Sequence, residues 1–454
     1  MALASKTATL DRLGEFVSTA SAPAAARARA AAAFLDTVGV TLAGVPEAAS
    51  RIVREQVAVE GGDACTVIGT TQRAGVSAAA LANGTAAHAL DFDDMCFVSL
   101  AHPSAPLVTA LLAAAEVAGA RGTTVLDAYV VGFEVETRLG QALNPRHYQR
   151  GWHCTSTLGA VGAAAAVARA LGLDAAATGH ALAIAASSAA GLKENFGTMV
   201  KPLHAGLAAR SAVTAGLLAR GGMTASIKAL DGPQGLLHAM DGQQAGFGNS
   251  LDDLGSRWEI LDTGITVKLY PSCAGTHPSL DAVLDLRERE HFDADAVERV
   301  DIDVDSITPT ILIHDRPATG LEGKFSMPFC AASALVHGAV GLETFDDEHI
   351  RDERVRRLMP RIHMRADPSL DGVAAALTQA RVAIHLRDGR VVFQYADGAR
   401  GYPARPARQE ELEGKFLSCA HRVLSDAAAE RALEFLRALD EVDDVRRLMP
   451  MLVP

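Results

Sequence analysis

The pattern of hydrophobic and polar positions changes clearly near residue 263. Before that point, stretches rich in Ala and Leu follow one another with isolated charges, as in "PLVTALLAAAEVAGARG" and "STLGAVGAAAAVARALGLD". Several of them end in glycine, which is favoured just after a helix. No heptad persists, so the segments are typical of closely packed globular helices and not of a coiled coil. The pattern predicts a large all-helical domain over residues 1–262.

Alternation with a period of two residues replaces the helical pattern after that point. "AVERVDIDVDSIT" alternates as a half-buried strand does, and "RVAIHLRDGRVVFQYADG" reads as two strands joined at Asp388-Gly389. Stretches such as "FSMPFCAASALVHGAV" between them look helical. We therefore expect a smaller α+β domain over residues 263–399. The last segment is helical again, so residues 402–454 are expected to complete the first domain. The predicted fold class is mainly α.

Composition and charge exclude several classes of partner. The 454 residues carry a formal net charge of -12, which argues against a nucleic-acid partner. No uninterrupted apolar run reaches about 20 residues, so no membrane partner is expected. The six cysteines are scattered without a C-x-x-C pair, which disfavours a zinc ribbon and an iron–sulfur cluster and favours a reducing compartment. The first residues lack the pattern of a signal peptide, and we expect a cytoplasmic protein.

The most informative pattern is a basic residue at the start of an apolar helix. Proline is favoured at the first helical position, and the residue before it is basic at His102, Lys201 and His277. His153 stands just before natural N-cap residues in "GWHCTSTLG". Because a helix start already carries unpaired N–H groups and a positive dipole end, a cation there is unfavourable unless an anion lies between them. The pattern predicts a substrate with more than one negative group.

Each of these residues also has a simpler interpretation. A single His or Lys at a helix start is most often a solvated surface residue. The acidic run in "HALDFDDMC" is a solvated loop or, alternatively, Asp91 and Asp94 hold His102 or a lysine in position. Lys268 in "TGITVKLYPSC" is an anion partner or a snorkelling surface lysine. Cys273 is interpreted as a structural thiol and not as a nucleophile, because nothing near it in sequence lowers its pKa.

Four motifs, in order and spacing, resemble the signature segments of the MmgE/PrpD family: "HALDFDDM…AHPS", "GWHCTSTLGAVGAAAA", "NFGTMVKPLHAGLAARSA" and "KLYPSCAGTH". The family includes 2-methylcitrate dehydratase, cis-aconitate decarboxylase and iminodisuccinate epimerase, and the resemblance runs from about residue 10 to about residue 420. It implies a large all-helical domain, a smaller α+β lid domain and a homodimer. It also implies catalysis without a metal or an organic cofactor.

The family's functional residues fall on defined positions of this chain. The resemblance assigns catalytic roles to Asp91, His102 and His153, and substrate binding to Lys201 and Lys268. We add Cys273 and His277 to the expected substrate-binding residues, which completes the candidate set.

The chain also departs from the family's decarboxylases. They carry Thr where this chain has Met95, and His where it has Cys273. "GWHCTSTLG" and "NFGTMVKP" resemble the epimerase branch more than the dehydratases.

The chemistry shared by these enzymes is making or breaking a bond next to a carboxylate. Removing the α-proton adds charge to an already negative group, so cations in a water-poor site must stabilise the product. A histidine is the natural base near neutral pH; we assign His153 as the main acid/base, His102 as the second, and Asp91 as the carboxylate that orients one of them.

The predicted function is proton transfer at the α-carbon of a small di- or tricarboxylate, by a dehydratase-like lyase or an epimerase-like isomerase. A decarboxylase-like activity or a non-catalytic helical binding or scaffold protein are the alternatives. A metal-dependent hydrolase is disfavoured, because no H-x-x-E-H or H-x-H pattern is present.

Overall fold

The computed structural model describes residues 8–241, 246–371 and 378–454. Internal contacts divide the chain into two compact units. Unit 1 comprises Met1–Ala89, Asp93–Ile265 and Arg408–Pro454, and unit 2 comprises Leu90–Phe92 and Thr266–Ala407. A three-residue segment within the helical part of the sequence therefore belongs to the second unit, which no pattern in the sequence indicated.

Unit 1 is mainly helical, as its Ala-rich sequence predicts. Its first twelve helices are α1 (Thr9–Thr19), α2 (Ala24–Gly44), α3 (Ala48–Glu60), α4 (Val76–His88), α5 (Ser104–Ala118), α6 (Gly122–Leu143), α7 (Arg146–Gln149), α8 (Cys154–Ala170), α9 (Ala175–Ser188), α10 (Val200–Arg220), α11 (Leu236–Asp241) and α12 (Glu259–Asp262).

Helices α4 and α10 run antiparallel at unusually close range. Thr214 Oγ1 bonds to Ser77 Oγ at one end of the pair, and in its middle a Cβ atom on Gly84 would lie 2.8 Å from the Cα of Gly206. Only glycine permits this approach, because any larger side chain would meet backbone atoms. The pairing brings the last residue of α4, His88, to the first turn of α10.

The prediction of an all-helical domain is wrong in one detail. Two short antiparallel strands, β1 (Cys65–Thr66) and β2 (Arg73–Ala74), lie between α3 and α4. The Glu116 carboxylate accepts hydrogen bonds from the Thr66 N–H at 2.8 Å and from Arg73 at 3.2 Å. A strand of two residues is too short to show an alternating pattern, and these contacts between distant residues define it instead.

Unit 2 contains a four-stranded sheet in the order β4-β3-β5-β6. The strands are β3 (Val297–Val304), β4 (Ile362–Ala366), β5 (Ala380–Leu386) and β6 (Val391–Ala396). β3 is parallel to β4 and antiparallel to β5. The predicted hairpin is confirmed as the antiparallel β5–β6 pair, whose turn places Gly389 at a positive φ of 88°.

Helices α13 (His277–Glu290), α14 (Gly320–Gly323), α15 (Met327–His337), α16 (Asp347–Ile350) and α17 (Glu353–Leu358) complete unit 2. Buried side chains of the sheet, of α13 and of α15 form one core, which includes Val300, Ile302, Ile384, Leu280, Leu286, Phe329 and Leu335. Strand β4 was not foreseen, because the sequence around it reads as the end of the preceding helix.

The C-terminal helices α18 (Gln409–Ala420) and α19 (Asp426–Arg437) belong to unit 1 and contact α2. The buried ammonium of Lys415 lies 2.6 Å from Asp36 Oδ1 on α2. Residues 402–407, by contrast, lie in unit 2, where the Tyr402 hydroxyl donates a hydrogen bond to the Ala274 carbonyl at 3.1 Å.

Within the part of the chain that the structure describes, no single helix combines the length and the apolar composition needed to cross a membrane. Helices α2 and α3 meet the two criteria of length and composition only when they are taken together, and the angle between them is 85°.

Candidate active site

The basic residues singled out in the sequence occupy different places at their helix starts. His153 is the N-cap of α8 and has extended backbone angles. Lys201 and His277 were expected to precede their helices, but they are the second residue of α10 and the first of α13. The expectation fails because N–H groups in a first helical turn have no intrahelical partner, so Pro202 and Pro278 cost no hydrogen bond there.

A buried chain of polar contacts connects α4 to α10. His88 Nδ1 lies 2.7 Å from Asp93 Oδ2, and His88 Nε2 lies 3.0 Å from the Lys201 ammonium. An ammonium can only donate, so His88 Nε2 accepts and His88 Nδ1 carries the proton that Asp93 accepts. His88, Asp93 and Lys201 are all buried. The imidazole therefore holds the lysine ammonium in a fixed place, with a carboxylate behind it.

His102 is adjacent to the same carboxylate. Its Nδ1 lies 3.4 Å from Asp93 Oδ2, and its ring centroid lies 4.6 Å from that of His88. The His102 backbone N–H donates to Thr155 Oγ1 on α8 at 3.0 Å. This bond connects the start of α5 to the first turn of α8, so that His102 is held at the side of the cluster where His153 begins α8.

His153 forms a direct contact with a second histidine. Its Nδ1 lies 3.0 Å from Nδ1 of His204, and its backbone N–H donates to the Gly191 carbonyl at 3.0 Å. Phe196 packs edge-on against the His153 ring, with centroids 5.0 Å apart. One nitrogen of the pair must donate and the other accept, so the contact fixes complementary tautomers in the two rings.

Burial and positive charge keep this histidine pair neutral. Burial is the largest cause that holds the pKa of His153 well below its usual range, and the charge of Lys201 is the next. Burial also lowers the pKa of His204 to about 4, with smaller contributions from His88 and Lys201. Both rings are therefore uncharged near neutral pH, so that each ring has one N–H and one nitrogen with a lone pair.

The start of α5 does not offer the anion site that the sequence predicts. The Asp94 carboxylate accepts a hydrogen bond from the Ser104 N–H at 3.2 Å and another from the Ser104 hydroxyl, which also contacts Tyr129. Burial raises the pKa of Asp94 to about 8. An internal acidic group thus occupies the place of the expected ligand at this helix, and it holds the segment that carries His102.

Unit 2 contains the remaining candidates. The buried Lys268 ammonium lies 3.1 Å from Asp91 Oδ2 and donates to the Asp91 carbonyl at 2.9 Å. The Lys324 ammonium donates to the carbonyls of Leu90 at 2.7 Å and Pro271 at 2.8 Å. Two lysines thus hold the segment Leu90–Phe92, and Asp91 has a positive φ of 53° there. The alternative that Asp91 holds a lysine matches this ion pair.

Cys273 and His277 lie near each other in the same unit. Cys273 is half-buried, and its N–H donates to the Lys324 carbonyl at 3.0 Å. His277 is fully buried with Nε2 3.2 Å from the Ser272 carbonyl. Burial, and next the charge of Lys268, lower the pKa of His277 to about 3. The role of either residue in substrate binding stays a prediction.

One group of residues in unit 1 has the composition of a metal site. Ligand atoms of His88, Asp93 and His102 lie within 4.8 Å of one another, and imidazole with carboxylate suits several divalent metals. His88, however, already uses one nitrogen for Asp93 and the other for Lys201. A cation would have to displace a proton and approach an ammonium, so the donor set fits a divalent metal poorly.

The structure groups the predicted residues by unit. His102, His153 and Lys201 are neighbours in unit 1, and Asp91, Lys268, Cys273 and His277 lie in unit 2. That both groups act on one substrate stays a prediction of the sequence analysis.

Three residues at the unit 1 cluster were missing from the predicted set. His88 and Asp93 lie in the acidic stretch that the sequence analysis examined. His204 follows Lys201 by three positions, a spacing that places both on one face of α10; that spacing was the available signal.

Comparisons with known proteins give consistent results. The family model of the MmgE/PrpD N-terminal domain matches residues 11–247, and that of the MmgE/PrpD C-terminal domain matches residues 270–441. The chain is 28% identical to a cis-aconitate decarboxylase of Homo sapiens over 82% of this chain and 79% of that protein. It is 29% identical to a cis-aconitate decarboxylase-like protein of Aspergillus oryzae, over 86% and 84%, and 26% identical to a cis-aconitate decarboxylase of Aspergillus terreus, over 88% and 86%.

Proposed function

The chain belongs to the MmgE/PrpD family, and from this premise we propose that it is an enzyme that transfers a proton at the carbon next to a carboxylate of a small di- or tricarboxylate. The observation that supports the proposal most is the buried, neutral imidazole of His153 beside the Lys201 ammonium. A base and a fixed positive charge are the two components that carbanion chemistry next to a carboxylate requires.

His153 is the proposed base. With Nδ1 engaged by His204, its Nε2 is the nitrogen that takes the proton when His153 Nδ1 carries the hydrogen. The low pKa of His153 in the absence of substrate is compatible with this role. A bound carboxylate near Lys201 would offset the positive charge that helps to lower the pKa of His153. Substrate binding would thereby raise the basicity of His153 at the moment when a base is needed.

Lys201 is the proposed partner of the substrate carboxylate. Its contact with His88 leaves an ammonium other protons to donate, and its burial makes each interaction stronger than it would be in water. As the α-proton leaves, charge moves onto the carboxylate oxygens, and a lysine placed there stabilises the developing enolate. The Asp93–His88 pair keeps the ammonium in place, so that little reorganisation is needed during the reaction.

His204 and His102 are proposed to complete the proton path. The His153–His204 pair has two tautomeric arrangements, one with a lone pair at His153 Nε2 and one with a proton there. A base that gains a proton at Nε2 can pass its Nδ1 proton to His204, which moves the positive charge to His204. The pair becomes neutral again when His204 releases the proton on its Nε2. His102, beside Asp93, is the proposed second acid/base group. Lys268 is proposed to bind substrate, and Asp91 is proposed to hold Lys268 in position through their ion pair, in place of the orientation of a histidine that the sequence predicts.

Decarboxylation is the second candidate, and the names of the relatives favour it. Loss of carbon dioxide from a carboxylate also leaves a carbanion that must be stabilised and protonated, so the same lysine and histidine would serve. The departures at Met95 and Cys273 favour dehydration or epimerisation for this chain. Burying the charges of Asp93 and Lys201 costs desolvation free energy, and a non-catalytic scaffold would have no need of these contacts.

The experiment is incubation with citrate, 2-methylcitrate, cis-aconitate and iminodisuccinate in deuterated water, followed by mass spectrometry. Deuterium at the α-carbon with retention of all other atoms indicates α-proton exchange, which is the step that an epimerase requires. Loss of water indicates dehydration, and release of carbon dioxide indicates decarboxylation. A parallel incubation with a chelator tests the proposal that no metal is needed. A protein that leaves the whole panel unlabelled and unchanged contradicts α-proton chemistry on these substrates.

We further propose that the protein is a homodimer through unit 1. Val200, Leu207 and Leu218 of α10 are between 37% and 42% exposed, and their spacing of seven and eleven residues places them on one helix face. Leu192 and Met199, near the start of the same helix, are also exposed. A row of apolar side chains of this kind is a common feature of an interface between copies of a protein.

A further inference from the structure

An unusual concentration of positive charge surrounds a small cavity in unit 2. The cavity has a volume of about 100 Å³, and its wall includes Arg354, Arg357, Arg361 and Arg387, with Asp295 as its one acidic residue. We call it the arginine cavity. An excess of three positive charges at one place is conspicuous in a chain whose formal net charge is -12.

The four arginines come from two parts of the chain. Arg354 and Arg357 lie on α17, and Arg361 follows in the next turn; the spacing of three and then four residues places them along one face. Arg387 begins the turn of the β5–β6 hairpin. Like charges at this spacing destabilise a helix. The arrangement is therefore unfavourable unless a negative group neutralises it.

These arginines differ from several exposed arginines of unit 2 that have a carboxylate partner. Arg351, Arg365 and Arg390 pair with Asp347, Asp303 and Asp388, respectively, at 2.8 to 3.0 Å. Among the described residues, by contrast, no carboxylate lies within 4.0 Å of the guanidinium groups that line the arginine cavity.

Two of the four guanidinium groups are held in place by the backbone. Arg361 donates to the Val297 carbonyl at 3.0 Å, and Arg387 donates to the Asp295 carbonyl at 3.0 Å. Each bond uses one N–H of a group that has five. The acceptors are two residues apart, where the chain enters β3, so both arginines are oriented by the same segment and keep donors for a ligand.

Stabilisation of the helix dipole explains only part of this arrangement. A basic residue in the last turn of a helix is favourable, which accounts for Arg357. It does not account for Arg387, which lies on a hairpin far along the sequence. The lining also includes the apolar residues Ala294, Val336 and Leu358. Several guanidinium groups around a small cavity favour a compact anion that makes several charge-assisted hydrogen bonds.

We propose that the arginine cavity binds a phosphate group, either as inorganic phosphate or as the terminal group of a small phosphate monoester. Guanidinium groups match phosphate oxygens in pairs of parallel hydrogen bonds. The small volume selects a compact tetrahedral anion over an extended tricarboxylate. The lining of the arginine cavity includes none of the groups assigned to proton transfer, so we propose a ligand other than the substrate of the proposed reaction.

The test uses the full-length protein and isothermal titration calorimetry at low ionic strength. Inorganic phosphate and glycerol phosphate are titrated separately, which distinguishes the free ion from an ester. Citrate, titrated into the Lys201→Met variant, is the comparison anion, because citrate is also a candidate substrate of the proposed active site. Saturable phosphate binding at one site per chain is expected. Arg354→Ala with Arg357→Ala should weaken it about tenfold or more, since hydrogen bonds to a charged group are the strong ones. Neither guanidinium group makes a hydrogen bond to another described residue, so folding should be preserved.

Two controls make the result specific. Arg351→Ala with Arg390→Ala removes the same charge from exposed, carboxylate-paired positions of unit 2 and should leave phosphate binding within twofold. Lys201→Met should also retain it, which excludes binding at the proposed active site. Equal losses in the two double variants, loss in Lys201→Met, or a Lys201→Met protein that binds citrate as tightly as phosphate would each overturn the proposal.

Discussion

The Lys201 ammonium lies 3.0 Å from Nε2 of His88, a residue 113 positions earlier in the chain. Helices α4 and α10 place the two residues together, and Asp93 accepts the proton on Nδ1 of His88. The contact fixes the position and orientation of a buried positive charge beside His153. It is the basis of the first prediction.

Lys201→Met should lower kcat/KM for the true substrate by about 10- to 100-fold, because it removes a charge-assisted contact to the carboxylate and to the enolate that develops from it. It should also shift the acid limb of the kcat/KM profile to higher pH, since the charge of Lys201 helps to lower the pKa of His153. Lys193→Met is the matched control, because that ammonium donates to the Tyr148 carbonyl instead, at 3.2 Å. A pH profile identical to that of the wild type would contradict the electrostatic role.

His153→Ala should lower kcat by about 10²- to 10⁴-fold with a smaller change in KM, because proton transfer is realised only in the transition state. In the wild type, kcat/KM should fall only at pH values well below 6.5, where the base becomes protonated. Steady-state kinetics across a range of pH measure both the loss of kcat in the variant and the pH at which kcat/KM of the wild type falls. His180→Ala is the control and should remain active, because the ring of His180 accepts a hydrogen bond from the Ala225 N–H instead. Near-normal turnover by His153→Ala would contradict the role of His153 as the base.

His204→Phe should reduce kcat, because His153 loses the partner that fixes its tautomer. His204→Gln keeps a hydrogen-bonding group at a similar position and should recover part of the activity. The pH dependence of kcat separates a positioning role from a packing role, since only the former should change its shape. If the two variants have the same kcat and the wild-type profile, the histidine pair has no function in proton transfer.

The buried Asp94 should make the protein less stable as the pH rises. Its pKa in the folded state is about 8, well above the value of an unfolded aspartate, so between the two values only the folded state retains the proton. The protonated Asp94 contributes fully to the free energy of unfolding below the pKa of the unfolded state. This contribution falls by up to about 1.4 kcal/mol per pH unit as the pH rises, and it is lost once the pH has passed the pKa of the folded state. Asp94→Asn should flatten this decline between pH 5 and 8 in chemical denaturation.

The control for this measurement is Asp388→Asn, at a carboxyl whose pKa is lowered and which lies in an exposed turn. It should leave the slope of stability against pH unchanged in that range. An Asp94→Asn protein with the wild-type slope would show that other groups dominate the decline.

Leu207→Glu with Leu218→Glu should convert the proposed dimer to a monomer, because two charges would be buried at the contact. Light scattering coupled to size-exclusion chromatography at micromolar concentration measures the mass. Val391→Glu in unit 2, at a side chain that is 57% exposed, should leave the mass unchanged. A wild-type protein that elutes as a monomer contradicts the homodimer.

The sequence by itself determined the type of most elements. The Ala-rich segments, the alternation of β3 and the hairpin at Gly389 follow from local periodicity and turn chemistry, which depend on neighbouring residues. The order of four motifs also determined the family. His102, His153 and Lys201 were identified in this way, because each stands beside a helix start.

Only the tertiary structure decided which charges meet. His88 and Lys201 are brought together by glycines on two helices, and no local pattern encodes that pairing. The strands β1 and β2, the capping of α5 by Asp94, and the inclusion of Leu90–Phe92 in unit 2 likewise depend on contacts between distant residues. Burial decided the pKa of His153, since desolvation and neighbouring charges exist only when the chain is folded. The sequence supplied the chemical groups, and packing fixed their protonation and their partners.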